Sequence, residues 1–175
     1  MKYKAIFFDA DGVMIKSKYL FSERLEMDYG ITKEKMTPFF TGRFRLCTIG
    51  QADLKEELSK VVDDWGWKGT VDELLEYWFT KGSEIDKEIL QYVEELSATG
   101  LRVFMATDQE KYRGEYLRKS LGDGKVFERV FYAAALGVPK KTEEFWSHVL
   151  ETTNLSKEEL LFIDDDLPNV EAVQG

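Results

Sequence analysis

Four short stretches of the chain carry residues whose types and spacing could do phosphoryl chemistry. The first is Asp9-Ala10-Asp11-Gly12-Val13. Two carboxylates two residues apart face one site if the chain turns there, and Gly12 permits such a turn. One can attack a phosphorus atom while the other handles the leaving-group proton. The alternative is a solvated turn that merely ends a strand. In Asp164-Asp165-Asp166 three consecutive acids repel one another. A hard cation taking oxygen ligands would relieve that repulsion, and a solvated loop is again the alternative. Thr107-Asp108 offers a hydroxyl and backbone N–H groups that could hold a phosphoryl oxygen at the start of a helix. An ordinary helix cap there is compatible with that role. Lys140-Lys141 follows Gly137-Val138-Pro139. A lysine there could neutralise phosphate and carboxylates, although a surface pair is the plainer reading.

These clusters gain meaning from the elements that must hold them. Residues 3–8, 101–106, 129–133 and 160–163 are short apolar runs, rich in β-branched or aromatic residues, and read as buried strands. Such continuous apolar character suits a parallel sheet covered on both faces. Helical patterns separate the last three runs. Over 109–121, Tyr112, Tyr116 and Leu117 share a face. Thr142 is a predicted N-cap with Glu143 and Glu144 in the favourable first turn, and Phe145, Val149 and Leu150 form the stripe behind it. Ser156 and Glu159 have capping-box spacing. Strand–helix alternation predicts an α/β, doubly wound, Rossmann-like parallel sheet. Ligands bind beyond the carboxyl ends of such strands. If strands one and four are neighbours, their two acid clusters make a magnesium site.

About eighty residues separate the first strand from the second, and they read as helical. Leu54, Leu58, Val61 and Val62 fit a helix over 51–62. Thr70 and Glu73 form another capping-box pattern, leading into Leu74, Leu75, Trp78 and Phe79. Ile85, Ile89, Val93 and Leu96 line a helix that packs on the sheet. The segment before it is too long for a simple crossover. It predicts an inserted helical cap over 16–81 and a core over 1–15 and 82–175. A doubly wound sheet would often continue with another edge strand beyond residue 175.

Bulk properties narrow the partners. The chain has 175 residues, enough for one core with a modest insertion, and 43% are hydrophobic. A net charge of −9 argues against nucleic acid and anionic membrane surfaces. Cys47 is the only cysteine and His148 the only histidine, so an internal disulfide and a Cys/His zinc site are excluded. Any metal must be held by oxygen. No stretch approaches the roughly 18 apolar residues of a membrane span. The apolar start ends at Asp9, too soon for a signal peptide. The expectation is a cytoplasmic protein, monomeric or weakly dimeric, acting on a small phosphorylated molecule.

The four clusters, in this order after four strands, resemble those of the haloacid dehalogenase-like hydrolases. The first motif is Ile6-Phe7-Phe8-Asp9-Ala10-Asp11-Gly12-Val13 and the second Val103-Phe104-Met105-Ala106-Thr107. The third is Lys140-Lys141-Thr142-Glu143-Glu144-Phe145-Trp146, and the fourth Phe162-Ile163-Asp164-Asp165-Asp166-Leu167-Pro168-Asn169-Val170-Glu171-Ala172. The stretch from Thr107 through Arg113 and Tyr116-Leu117 is similar to members with a small helical cap after the first strand. The resemblance implies that Asp9 is the nucleophile and forms an aspartyl-phosphate. It implies that Asp11 protonates the leaving oxygen and then activates water. Magnesium would be held by Asp9, the backbone carbonyl of Asp11, and Asp164, Asp165 or both. Thr107 would bind the phosphoryl group and Lys140 would steady its charge. Dehalogenating members lack an acid at the position of Asp11, which disfavours that reaction.

Departures from the family pattern are informative. Lys141 stands where proline is usual, so the motif lysine is ambiguous by one residue, with Lys140 preferred. Asp108 replaces a common asparagine beside the phosphate site, and Asp166 a common serine. In the insertion, Arg43 and Arg45 alternate with aromatics in Thr41-Gly42-Arg43-Phe44-Arg45 and could reach over the substrate. Otherwise they are surface arginines flanking a core Phe44. Trp65, Trp67, Trp78 and Phe39-Phe40 read as packing for the insertion. The expected activity is a magnesium-dependent phosphomonoesterase. A phosphomutase shares every core residue, and a non-enzymatic phospho-receiver is the reading from another class.

Overall fold

A computed structural model describes residues 3–81 and 84–174. The expected module boundary at 81/82 meets Gly82 and Ser83, which lie outside the described residues. Four strands, β1 (Ala5–Phe8), β2 (Arg102–Thr107), β3 (Arg129–Tyr132) and β4 (Leu160–Ile163), form one parallel sheet in the order β3-β2-β1-β4. β1 therefore lies between β2 and β4, with Phe8 opposite both Met105 and Ile163. That order brings the ends of the first, second and fourth motif strands side by side. β1 starts two residues later than the apolar run at 3 and β2 one residue later than the run at 101, and β2 runs on through Thr107.

Between β1 and β2 lie α1 (Phe21–Tyr29), α2 (Lys33–Thr41), α3 (Phe44–Thr48), α4 (Leu54–Ser59), α5 (Val62–Trp65), α6 (Val71–Lys81) and α7 (Lys87–Ala98). After β2 come α8 (Lys111–Leu121), α9 (Ala133–Leu136), α10 (Glu143–Thr153) and α11 (Leu167–Gln174). The period-2 alternation of β1 splits the sheet's two faces. Ile6 and Phe8 join Val103, Met105 and Val130 under α7 and α8, where Val93, Leu117 and Leu121 cover them. Ala5 and Phe7 join Phe104 and Phe131 on the other face under Phe145, Trp146 and Val149 of α10.

Helices α1 to α6 have a core of their own, built on Leu25, Met36, Phe39, Leu54, Leu58, Trp65, Leu74 and Trp78. The helix expected over 51–62 is instead α4 followed by α5. Asp53 caps α4, accepting from Lys55 N at 2.9 Å and Glu56 N at 3.3 Å. Thr70 and Glu73 cap α6 reciprocally, as their spacing predicts.

The insertion is tied to the sheet at few points. Ile15, where the chain leaves, bridges Ile85, where it returns, and Asp86 N donates to Met14 O at 2.9 Å. Farther out, Tyr112 of α8 donates its hydroxyl to Asp53 at 2.7 Å, and the rings of Phe79 and Tyr116 lie 5.7 Å apart. No helix among the described residues is long and apolar enough to cross a membrane.

Candidate active site

Asp9 follows β1 directly, and its N–H donates to Ile163 O at 2.9 Å, continuing the ladder toward β4. The chain then turns. Ile15 N donates to Ala10 O at 2.8 Å and Gly12 N to Ile15 O at 3.0 Å, with Gly12 at φ 86°. A side chain at Gly12 would collide with the Asp165 carboxylate as well as strain the backbone. Glycine thus lets the first and fourth motifs approach.

The third motif supplies a buried cation. Lys140 is 1% exposed, and its Nζ lies 2.8 Å from Asp9 Oδ1 and 2.5 Å from Asp164 Oδ2. Lys141 is exposed, so the structure brings Lys140 to the carboxylates. The backbone around Lys140 is fixed on both sides. Lys140 N donates to Asp108 Oδ1 at 2.8 Å, and Thr142 accepts from Phe145 N at the start of α10. Asp108, which departs from the family's asparagine, therefore clamps the lysine loop and also lines the cleft.

Asp164 is held from its other side. Its Oδ1 accepts from Asp166 N at 2.8 Å and from Asn169 Nδ2 at 3.2 Å. Asp9, Asp164 and Asp165 each offer an oxygen, all within 4.8 Å of one another. Burial pushes the Asp9 carboxyl up to about 6, although Lys140 pulls it down. Its Oδ1 has no aligned hydrogen bond despite the nearby ammonium. Three carboxylates gather where one lysine contacts only two of them, so negative charge is left over. An oxygen-preferring divalent cation fits that set.

The Asp11 carboxylate lies apart from this group. It is half-exposed and turned toward α8, accepting from Arg113 Nη2 at 2.7 Å and from Gln109 Nε2 at 2.7 Å. This leaves its backbone carbonyl for the metal role the resemblance implies. Thr107 ends β2 almost fully buried, with Gln109 Nε2 3.4 Å from its hydroxyl.

Gln109, Arg113 and Asn169 were not singled out by their residue types. Gln109 precedes the N-cap of α8 and Arg113 lies in its first turn, and both reach the Asp11 carboxylate. An arginine in a helix's first turn opposes the macrodipole, and that local mismatch was the available signal. Glu110 offsets it by capping α8, accepting from Tyr112 N at 2.7 Å and Arg113 N at 2.5 Å.

The two insertion arginines go elsewhere. Arg43 Nε and Nη2 reach the two oxygens of Glu57 at 2.9 Å each, and Lys60 joins at 2.7 Å. Arg45 is exposed, and neither arginine lines the cleft, whereas Phe44 does. Successive residues on a helix point about 100° apart, so turning Phe44 inward swings its neighbours away. Cys47 is buried, which pushes its thiol up to about 11, and His148 is exposed on α10.

The sequence model of the haloacid dehalogenase-like hydrolase family matches residues 3–175. The chain belongs to that family. As a hydrolase of this kind it resembles solved members across almost its whole length. The HAD family enzyme bt-2542 from Bacteroides thetaiotaomicron superposes with a TM-score of 0.81 at 18% identity, covering 99% of this chain and 90% of that one. That enzyme is also known in complex with magnesium and inorganic phosphate. L-2-haloacid dehalogenase from Xanthobacter autotrophicus gives 0.69 at 18% identity, over 98% and 74% of the two chains. These likenesses establish the fold. In sequence, the sesquiterpene phosphatase astK of Aspergillus oryzae is 33% identical over 90 residues, 51% of this chain and 46% of that protein. Drimenol cyclase drtB of Aspergillus calidoustus is 27% identical over 89 residues, 51% of this chain and 17% of that protein. The matched stretch thus spans less than half the length of either relative.

Proposed function

We propose that this hydrolase is a magnesium-dependent phosphomonoesterase working through an aspartyl-phosphate on Asp9. The observation that carries the reading is the meeting of Asp9, Lys140 and Asp164 at the carboxyl edge of the sheet, with Asp165 in reach of a shared cation. The 33% identity to a protein named as a phosphatase supports phosphoester hydrolysis.

Asp9, Asp164, Asp165 and the Asp11 carbonyl would hold the metal. Bound there, magnesium would offset negative charge on the carboxylates and on the phosphoryl oxygens. The rest falls to side chains. A carboxylate oxygen of Asp9 attacks phosphorus, and the bond to the alcohol oxygen breaks. Asp11 gives that oxygen its proton. Asp11 then takes a proton from water, which attacks the aspartyl-phosphate and releases inorganic phosphate, leaving Asp9 free. Lys140 and the Thr107 hydroxyl steady the transferring group, a task of alignment and charge more than of covalent chemistry. The helical insertion acts as the cap that covers the substrate.

Asp9→Asn is expected to abolish magnesium-dependent hydrolysis of a generic aryl phosphate while circular dichroism stays unchanged. Full activity in that variant sinks the nucleophile assignment.

A further inference from the structure

A cavity of about 760 Å³ opens between the helical insertion and the sheet edge. One end is polar, bounded by Asp11, Gly12, Asp108, Gln109 and Arg113. The other end is an aromatic wall of Phe21, Phe40, Phe44 and Trp78. Phe21 stacks on Trp78 with ring centroids 4.4 Å apart, and Phe40 and Phe44 each lie 5.6 Å from it. Phe21, Phe40 and Phe44 remain only half-buried despite this packing, so ring surface is left facing the cavity.

Three polar side chains around that wall, Thr37, Thr41 and Lys16, are already engaged, while Ser17, Tyr19, Ser22 and Lys33 line the cavity mouth beside them. Thr37 donates to Lys33 O at 2.8 Å and Thr41 to Thr37 O at 2.8 Å, both within their own helix. Lys16 is paired with Asp86 at 3.0 Å. The insertion's arginine fork, the natural reader of a second phosphate or a carboxylate, is spent on Glu57. A sugar or nucleotide laid against the aromatic rings would lose hydrogen bonds to water that those rings cannot replace. A hydrocarbon body would lose nothing and would cover aromatic surface. The volume falls in the roughly 300–1,000 Å³ range that encloses a drug-sized group.

We infer that the alcohol half of the substrate is bulky and apolar: its phosphate meets Asp9, and its hydrocarbon body lies along the Phe21–Phe40–Phe44–Trp78 wall. This rests on the phosphomonoesterase reading, to which it adds the substrate class.

The test compares kcat/KM, with magnesium present and below micelle-forming concentrations, for ethyl phosphate, decyl phosphate and glucose 6-phosphate. Decyl phosphate is expected to exceed both others by at least tenfold. Thr37→Trp, which narrows the cavity from an exposed wall position, is expected to cut the decyl-to-ethyl ratio at least fivefold in a protein that still unfolds cooperatively. Hydrolysis of all three with equal kcat/KM, or a preference for the sugar, overturns the inference and leaves the phosphatase reading standing. Hydrolysis of none overturns that reading instead. Calorimetric binding of decylphosphonate and ethylphosphonate then decides the cavity: tenfold tighter binding of the longer chain supports it, and equal affinity overturns it.

Discussion

Arg113 Nη2 lies 2.7 Å from Asp11 Oδ1, a buried guanidinium gripping a half-exposed carboxylate 102 residues away in the chain. The contact joins the first turn of α8 to the turn after β1. With Gln109 on the second oxygen, it leaves Asp11 one orientation. If Asp11 is the acid and base of the reaction, Arg113 is the residue that positions it. Arg113→Met is expected to lower kcat about ten- to a hundredfold, the usual cost of a misplaced catalytic group, with a smaller change in KM. Arg113→Lys is expected to recover part of kcat. A kcat unchanged in Arg113→Met, measured with an aryl phosphate, removes the positioning role.

Asp9 sets a pH dependence of stability whose sign follows from its burial. Its carboxyl titrates near 6 in the folded chain against 3.8 when free. The folded state therefore holds this proton more tightly than the unfolded state. Unfolding free energy from this group is highest below 3.8 and falls as pH rises toward 6. Divalent binding needs the ionised carboxylate and opposes the same trend. Magnesium is accordingly expected to raise the melting temperature more at pH 7.5 than at pH 5. Asp9→Asn is expected to remove most of that difference. An equal magnesium effect at both pH values, read by thermal unfolding, contradicts this.

Gly114 sits inside α8, where propensity alone favours alanine by about 1 kcal/mol. Packing decides otherwise. A Cβ there would lie 2.6 Å from Cε2 of Tyr132, a buried ring anchored through its hydroxyl to Glu115 at 2.7 Å. Overpacking typically costs about 1–3 kcal/mol, so the net effect of Gly114→Ala is expected to be a loss of up to about 2 kcal/mol. Urea unfolding reads the sign directly, and a gain in stability would show that Tyr132 can move aside.

Much of the framework was legible because it is local. Apolar runs a few residues long mark β1 to β4, and caps such as Thr70 with Glu73 and Ser156 with Glu159 depend on neighbours three apart. The break between α4 and α5 was not legible, since Leu54, Leu58, Val61 and Val62 keep helical spacing across it. The destination of Arg43 was hidden for a different reason. Its partner, Glu57, lies on α4, and only the packing of α3 against α4 brings the two together.

The sequence by itself determined that acids, a hydroxyl and a lysine would follow four parallel strands, because strand periodicity and chain order are local properties. Tertiary structure decided which of them meet. The sheet order β3-β2-β1-β4 sets Asp9 beside Asp164, and burial selects Lys140 over Lys141 to stand between them. It also turned Arg113 and Gln109 onto Asp11 and left an aromatic-walled cavity beside them. Those contacts join residues tens to more than a hundred positions apart, where no spacing rule reaches and only the packed chain sets the distance.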